Sequence, residues 1–281
     1  MNQVKFKFWG VRGSMAIPGK DTERYGGNTT CIEIQSGKDH IILDGGTGIR
    51  MLGADIMKHK GKRSFESFIL LSHVHWDHYI GLPFFKPFYW SRNKFVVAGP
   101  RAMDKNFATA LSKAVCPPYF PVRLSELNAN IRLKTISQRA FKAGSVIIVP
   151  LIANHPNGAF GWRMEFPNGK SAVVMTDNEP SGKKQESKLL DALDGVDVLI
   201  HDAQYTPQNY KKRKGWGHSP FTYPIWLAAQ ARIKRVFLTH FDPDDSDKRL
   251  DAVSMQALRY AKKQKNHVRC VLAREGLSFN L

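Results

Sequence analysis

Apolar residues along this chain come in short bursts, either alternating with polar ones or filling four to six positions, with glycine, asparagine and proline between them. Strict alternation has the two-residue period of a half-buried strand, and a short unbroken apolar run has the length of a strand covered on both faces. On this basis strands are predicted at 4–9, 30–34, 41–43, 68–71, 95–98, 131–135, 146–151, 161–166, 172–175, 198–200, 235–238 and 267–272. Apolar residues spaced by three and four predict helices at 49–59, 102–115, 187–193, 220–231 and 251–265. Pro167-Asn168-Gly169-Lys170 reads as the tight turn of a hairpin. Strands crowd the first two thirds and helices dominate afterwards, which is the pattern of sheets covered by helices. No repeat or linker interrupts the chain. One domain over 1–281 is therefore expected, with a segment at about 84–130 that could wall a substrate site.

Composition changes this picture in three ways. No apolar stretch approaches the roughly 18 residues of a membrane span, and the start alternates like a strand instead of opening as a secretory signal. Cys31, Cys116 and Cys270 are odd in number and far apart, so free thiols and a cytoplasmic location are expected over a disulfide framework. Lys plus Arg is 42 against 24 Asp plus Glu, a net charge of +18 that favours an anionic partner. The basic runs at 58–63, 183–184, 211–214 and 262–265 read equally well as solvated faces, so the charge specifies an anion and no particular polymer.

The candidate chemistry begins where the run Phe68-Ile69-Leu70-Leu71 ends, at His73-Val74-His75-Trp76-Asp77-His78. Three imidazoles and a carboxylate at the mouth of a buried strand are costly to hold together without a cation. A sharp loop would let His73 and His75 converge on one ion while Asp77 and His78 reach a second. Other polar residues also sit at strand exits: His155 after 146–151, Asp177 after 172–176, His201 and Asp202 after 198–200, and His240 after 236–239. Each alone could be a helix cap or a satisfied core group. Their common placement is how a rigid sheet holds a multinuclear site.

Together these residues resemble the metallo-beta-lactamase fold superfamily, in the branch containing tRNA 3′-processing endonuclease Z and cyclic-nucleotide phosphodiesterases. The likeness runs from Phe8 to about His240. It implies an α/β fold, an αββα sandwich of two facing β-sheets covered by helices, with the active site along one edge. It also implies two divalent ions. His73, His75 and His155 would hold the first, Asp77, His78 and His240 the second, and Asp177 would bridge them. Zinc is favoured on ligand softness, and manganese or iron is tolerated by a carboxylate bridge. Asp44, in Leu43-Asp44-Gly45-Gly46-Thr47-Gly48, matches the buried acid behind the metals, although a loop cap would also suit it.

His201-Asp202-Ala203-Gln204 is similar to the family's His-Glu-Ala-Thr segment, with two replacements, and Gly217-His218-Ser219 to its Gly-His-Ser segment. The likeness implies His218 over the scissile phosphate, positioned by Asp202, with Ser219 as a neighbouring substrate contact. His218 could instead cap the helix ahead of Pro220. Phe8-Trp9-Gly10-Val11-Arg12-Gly13-Ser14 also occurs in bacterial and phage members of the branch. Amides of that turn could line an anion site, and Arg12 could either reach it or form a salt bridge within the fold.

The implied function is a metal-dependent phosphodiesterase acting on a small phosphodiester, a cyclic nucleotide first, through water activated between the ions. Asp77 would accept the proton, and His218 would stabilise the phosphorane or protonate the leaving oxygen. The alternative is a ribonuclease Z-like endoribonuclease processing tRNA 3′ ends, with RNA as partner. Two features weigh against it: the missing Gly-rich arm, and the acidic run Phe241-Asp242-Pro243-Asp244-Asp245-Ser246-Asp247, which would repel RNA if it faced the groove. A β-lactam substrate gives no use for the basic charge. A homodimer is also expected, with the aromatics at 84–90 and 117–121 touching either substrate or a partner subunit.

Overall fold

The computed structural model describes residues 3–61, 63–101 and 105–281. The first sheet is laid down by β1 (Val4–Gly10), β2 (Cys31–Ser36), β3 (Asp39–Leu43), β4 (Glu66–Leu70), β5 (Lys94–Gly99) and β6 (Asn130–Thr135). The second takes β7 (Phe141–Ala143), β8 (Val146–Ala153), β9 (Ala159–Glu165), β10 (Ser171–Met175), β11 (Val198–Asp202), β12 (Arg235–Thr239) and β13 (Arg269–Leu272). A last strand, β14 (Ser278–Asn280), returns to pair with β1, so the first sheet runs β14-β1-β2-β3-β4-β5-β6 and the second β13-β12-β11-β10-β9-β8-β7. Each sheet joins an antiparallel half to a parallel half: β3 to β6 are parallel in one, β10 to β13 in the other.

The two-residue period explains the layers. Ile41 and Leu43 enter the core between the sheets with Phe6, Phe8, Ile34, Trp162 and Met164, while Ile42, between them in sequence, joins Ile69 and Val97 on the outer face. Helices α1 (Ile49–Lys60) and α3 (Phe107–Ala114) cover that outer face through Leu52, Ile56, Phe107 and Leu111. On the second sheet the cover is α4 (Lys183–Leu193), α6 (Thr222–Gln230) and α7 (Asp247–Lys262). This is the facing-sheet sandwich that the family resemblance implies. Two short helices lack any signal in the apolar pattern: α2 (Trp76–Tyr79), inside the histidine cluster, and α5 (Pro207–Tyr210).

Several boundaries moved for physical reasons. The helix predicted over 102–115 begins at Phe107, where the Asn106 side chain accepts the Thr109 amide; residues 102–104 lie outside the described residues. The helix predicted from 251 begins at Asp247, because Ser246 accepts the Arg249 amide and Asp247 sits in the first turn. The acidic run thus leads into a helix start, and the carboxylates of Asp242 and Asp247 turn inward while Asp244 is exposed. Asp242 pairs with Arg213 at 2.9 Å, and Asp247 accepts the amides of Arg24 and Tyr25 at 2.8 and 3.2 Å. The three cysteines are free, Cys31 and Cys270 buried and Cys116 half-buried. Among the described residues no helix is long and apolar enough to cross a membrane.

Candidate metal centre

Every candidate ligand hangs from one edge of the sandwich, just past the end of a strand. Pairing of Leu43 with Leu70, and of Met175, His201 and Leu238 across the second sheet, brings these ends to one level. From β4 the chain passes through Leu71 and Ser72 to His73 and His75, then α2 lifts Asp77 and His78 into the same space. His155 follows β8, Asp177 follows β10, and His240 follows β12 with φ of 58°. Two glycines make the close packing possible. A Cβ on Gly13 would overlap the imidazole of His240, and one on Gly217 (φ 87°) would overlap that of His155.

The donor atoms form two clusters that share Asp177. In one, His78 Nε2 lies 3.2 Å from Asp77 Oδ2, 3.2 Å from Asp177 Oδ1 and 3.3 Å from His240 Nε2. His240 Nε2 lies 3.2 Å from Asp77 Oδ2 and 3.1 Å from Asp177 Oδ1. Two zinc–ligand bonds of about 2.05 Å meeting at a tetrahedral angle separate their donors by about 3.3 Å. Those five separations match the edges of such a tetrahedron. In the other cluster, His75 Nδ1 and His155 Nε2 face each other at 3.2 Å, and His73 Nε2 and His155 Nε2 each lie 3.8 Å from Asp177 Oδ2.

A cation fits this arrangement and hydrogen bonding does not. His73 Nε2 and Asp177 Oδ1 are buried without a hydrogen-bond partner, which is costly unless an ion supplies one. The rear nitrogens are already engaged. His78 Nδ1 donates to Asp44 Oδ2 at 2.9 Å, and His73 Nδ1 lies 3.0 Å from Ser72 Oγ, which itself reaches Asp44 Oδ2 at 3.2 Å. His155 Nδ1 donates to the Gly217 carbonyl at 3.0 Å and His240 Nδ1 to Gln204 Oε1 at 3.1 Å. Each such bond fixes the tautomer that leaves Nε2 bare toward the cluster. Groups able to hold a metal are His73, His75 and His155; His73, His78 and Asp177; and Asp77, His78 and His240, with His218 completing two more, one with His155 and Asp177 and one with Asp202 and His240.

The electrostatics agree. Burial lowers the pKa values of His73, His75 and His155, keeping them neutral and able to ligate. Burial opposes charge on Asp77 and Asp177, yet the neighbouring histidines outweigh it and hold both carboxyls well below their ordinary value. His78 is buried too, but Asp77, Asp177 and Asp44 push its pKa well up, so positive charge is favoured at this spot.

His218 stands beside the clusters. Its Nδ1 lies 3.5 Å from Asp202 Oδ2 and 3.6 Å from Asp177 Oδ2. Burial works against its protonation, but Asp202 and Asp177 raise its pKa on balance. An open cavity of about 380 Å³ is bordered by Ser14, His75, Trp76, Asp77, Asp177 and His218, so solvent reaches the shared carboxylate and His218 together.

A family model described as the beta-lactamase superfamily domain matches residues 40–241, a span that holds every candidate metal ligand and His218. The chain belongs to the metallo-beta-lactamase superfamily. An uncharacterised protein of Mycobacterium tuberculosis is 28% identical over 215 residues, covering 72% of this chain and 70% of its own. Ribonuclease Z of Ignicoccus hospitalis is 21% identical over 253 residues, covering 74% and 80%. The fold is similar to that of a metallo-beta-lactamase fold protein from Bacillus subtilis, with a TM-score of 0.74 at 15% identity over the whole of both chains. The edge cluster is accordingly the dinuclear metal-binding site of a metal-dependent hydrolase.

Two expected substrate contacts need correction. Arg12 is fully buried, and its guanidinium donates to the carbonyls of Gly26, Asp242 and Asp245 at 2.8, 3.2 and 2.5 Å, with Asp247 at 4.0 Å. It braces the fold from within. Ser219 is likewise fully buried, its hydroxyl donating to the Asn178 carbonyl at 2.5 Å and its amide to Asp202 Oδ2 at 2.9 Å. The turn that carries Arg12 does line an anion, but an internal one: the Ser14 amide donates to Asp77 Oδ2 at 2.8 Å.

Sequence reasoning also leaves Ser72, Thr176, Glu179 and Gln204 without roles. Thr176 Oγ1 donates to Asp44 Oδ2 at 3.0 Å. Glu179, buried two residues after Asp177, accepts the Gly217 amide at 2.9 Å, the Gly215 amide at 2.8 Å and the Tyr210 hydroxyl at 2.9 Å. It clasps the loop that presents His218. The only sequence signal was a carboxylate so close to a candidate ligand.

Proposed function

We propose that the chain hydrolyses a small phosphodiester, with 3′,5′-cyclic nucleotides first among the candidates. His73, His75 and His155 would hold one divalent cation, Asp77, His78 and His240 the other, and Asp177 both, with five imidazoles favouring zinc over manganese or iron. Bound there, the two cations would supply a water acidified to a pKa of about 7 and neutralise charge on the phosphate. Asp77, held by the Ser14 amide, would orient that water and take its proton. His218, whose protonated form Asp202 and Asp177 favour, would steady the phosphate and give its proton to the leaving oxygen. Asp44 holds the back of His78 and thereby its angle of approach.

One observation carries the reading: the two oxygens of Asp177 point into separate donor clusters while His218, backed by Asp202, stands 3.6 Å from the same carboxylate. A phosphodiester, anionic and needing a protonated leaving oxygen, uses all three features. We also expect a homodimer, since Trp76 at the cavity, Phe84 and Tyr119 are exposed in the single chain; light scattering in solution tests that. The functional test is metal analysis of the purified chain with turnover of cyclic nucleotides and of a tRNA precursor in parallel. Opening of the cyclic nucleotide with the RNA left intact supports the reading. The reverse outcome refutes it in favour of a ribonuclease Z-like endoribonuclease. That second reading gains from Asp242 and Asp247, whose inward-turned carboxylates leave less negative charge in the 242–247 segment to repel RNA.

A further inference from the structure

A second cavity, of about 280 Å³, adjoins the metal centre. His73, Val74 and His75 form its inner side, and Arg101, Lys105 and Lys113 its outer side. Val74 and His75 border both cavities, so a ligand at the metals can continue across them into the second. Among the described residues lining it there is no carboxylate. Lys105 and Lys113, both exposed, repel one another across the concavity, and an anion entering it relieves that repulsion. The wall is fixed in place. Lys113 rides on α3, which is anchored through fully buried Phe107 and Leu111 and capped by Asn106. The scissile phosphate belongs between the metal clusters, so this pocket is left for another part of the substrate.

We propose that the pocket receives a second phosphate, about one nucleoside away from the phosphodiester that is cut. The inference rests on the phosphodiesterase reading above and extends it from cyclic mononucleotides to substrates with two phosphates, whether a cyclic dinucleotide or a linear dinucleotide carrying a 5′-phosphate. Exposed Lys105 and Lys113 supply the charge that a single-phosphate substrate leaves unused.

The test compares four substrates on the metal-loaded chain: a cyclic dinucleotide, a 5′-phosphorylated linear dinucleotide, the same dinucleotide without its 5′-phosphate, and bis(p-nitrophenyl) phosphate. The two-phosphate substrates should exceed the unphosphorylated dinucleotide in kcat/KM by at least about tenfold, and the better of the two identifies the source of the second phosphate. In the double variant Lys105→Gln/Lys113→Gln that preference should collapse to within about threefold, chiefly through KM, and the loss on bis(p-nitrophenyl) phosphate should stay within about threefold. Absence of the preference in the parent chain, or its survival in the double variant, overturns the proposal. A chain that leaves bis(p-nitrophenyl) phosphate intact overturns the phosphodiesterase reading, and the proposal with it.

Discussion

Glu179 offers a sharp test of how the His218 loop is held. Its carboxylate accepts three donors, the Tyr210 hydroxyl and the amides of Gly215 and Gly217. Hydrogen bonds to a charged group are worth about 1.5–3 kcal/mol each, but a donor that can turn to water recovers most of that. Gly215 is exposed and Tyr210 half-buried, so both have water as a substitute, whereas Gly217 is buried and does not. Glu179→Ala should therefore cost about 2–4 kcal/mol, most of it from the Gly217 amide. Glu179→Gln keeps an acceptor for both amides and a donor for Tyr210, so it should cost about 1 kcal/mol. Gly217 directly precedes His218, and a shift of about 1 Å in a positioned group can lower turnover about 10²-fold. Urea unfolding, turnover and metal content on the two variants measure all of this. The Ala variant should lose turnover at normal metal content, and the Gln variant should recover most of it. If Glu179→Ala keeps turnover within twofold of the parent, the clasp plays no part in placing His218.

Four further outcomes are expected. Asp177→Ala should lose both metals and all turnover together, as read by plasma mass spectrometry and the phosphodiester assay; retention of either ion contradicts a shared ligand. His218→Ala should retain metal and lower kcat by about 10²–10⁴-fold, and full activity would remove it from the chemistry. Asp44→Asn should weaken metal affinity by about 10–100-fold in a chelator competition, because His78 loses the partner that sets its tautomer. Burial and then Asp242 push the Asp245 carboxyl up to about 6, above its ordinary 3.8. A raised acid favours the folded state only while protonated, so this contribution is full below the ordinary value and is lost as pH rises through about 6. Asp245→Asn should accordingly raise the urea midpoint more at pH 8 than at pH 4, and an equal shift at both would refute the assignment.

What could be read from the sequence follows from where each signal lay. The ligands stand directly after apolar runs, so the pattern that gave β4, β8, β10 and β12 also located His73, His155, Asp177 and His240 at strand exits. Edge strands β7 and β14 escaped notice because three residues carry too little periodicity to separate from a loop. Arg12 shows a different limit. An arginine between glycines reads as a ligand contact until the chain folds three carbonyls around it. The same holds for the acidic run 242–247, whose direction depends on a cap at Ser246 and on Arg213, 29 residues before Asp242. Ser72, Glu179 and Gln204 act through distant backbone or imidazole atoms, and no local pattern encodes such pairings.

The provenance of the ligands has a mechanical consequence. His73, His75, Asp77 and His78 descend from the first sheet, and His155, Asp177 and His240 from the second. Cations shared across that divide rivet the two halves along the rim where substrate enters. Stripping them with a chelator should lower the melting temperature as well as halt turnover. The opposite rim of the sandwich, zipped by aromatics such as Phe6, Phe166 and Phe279, would keep its grip.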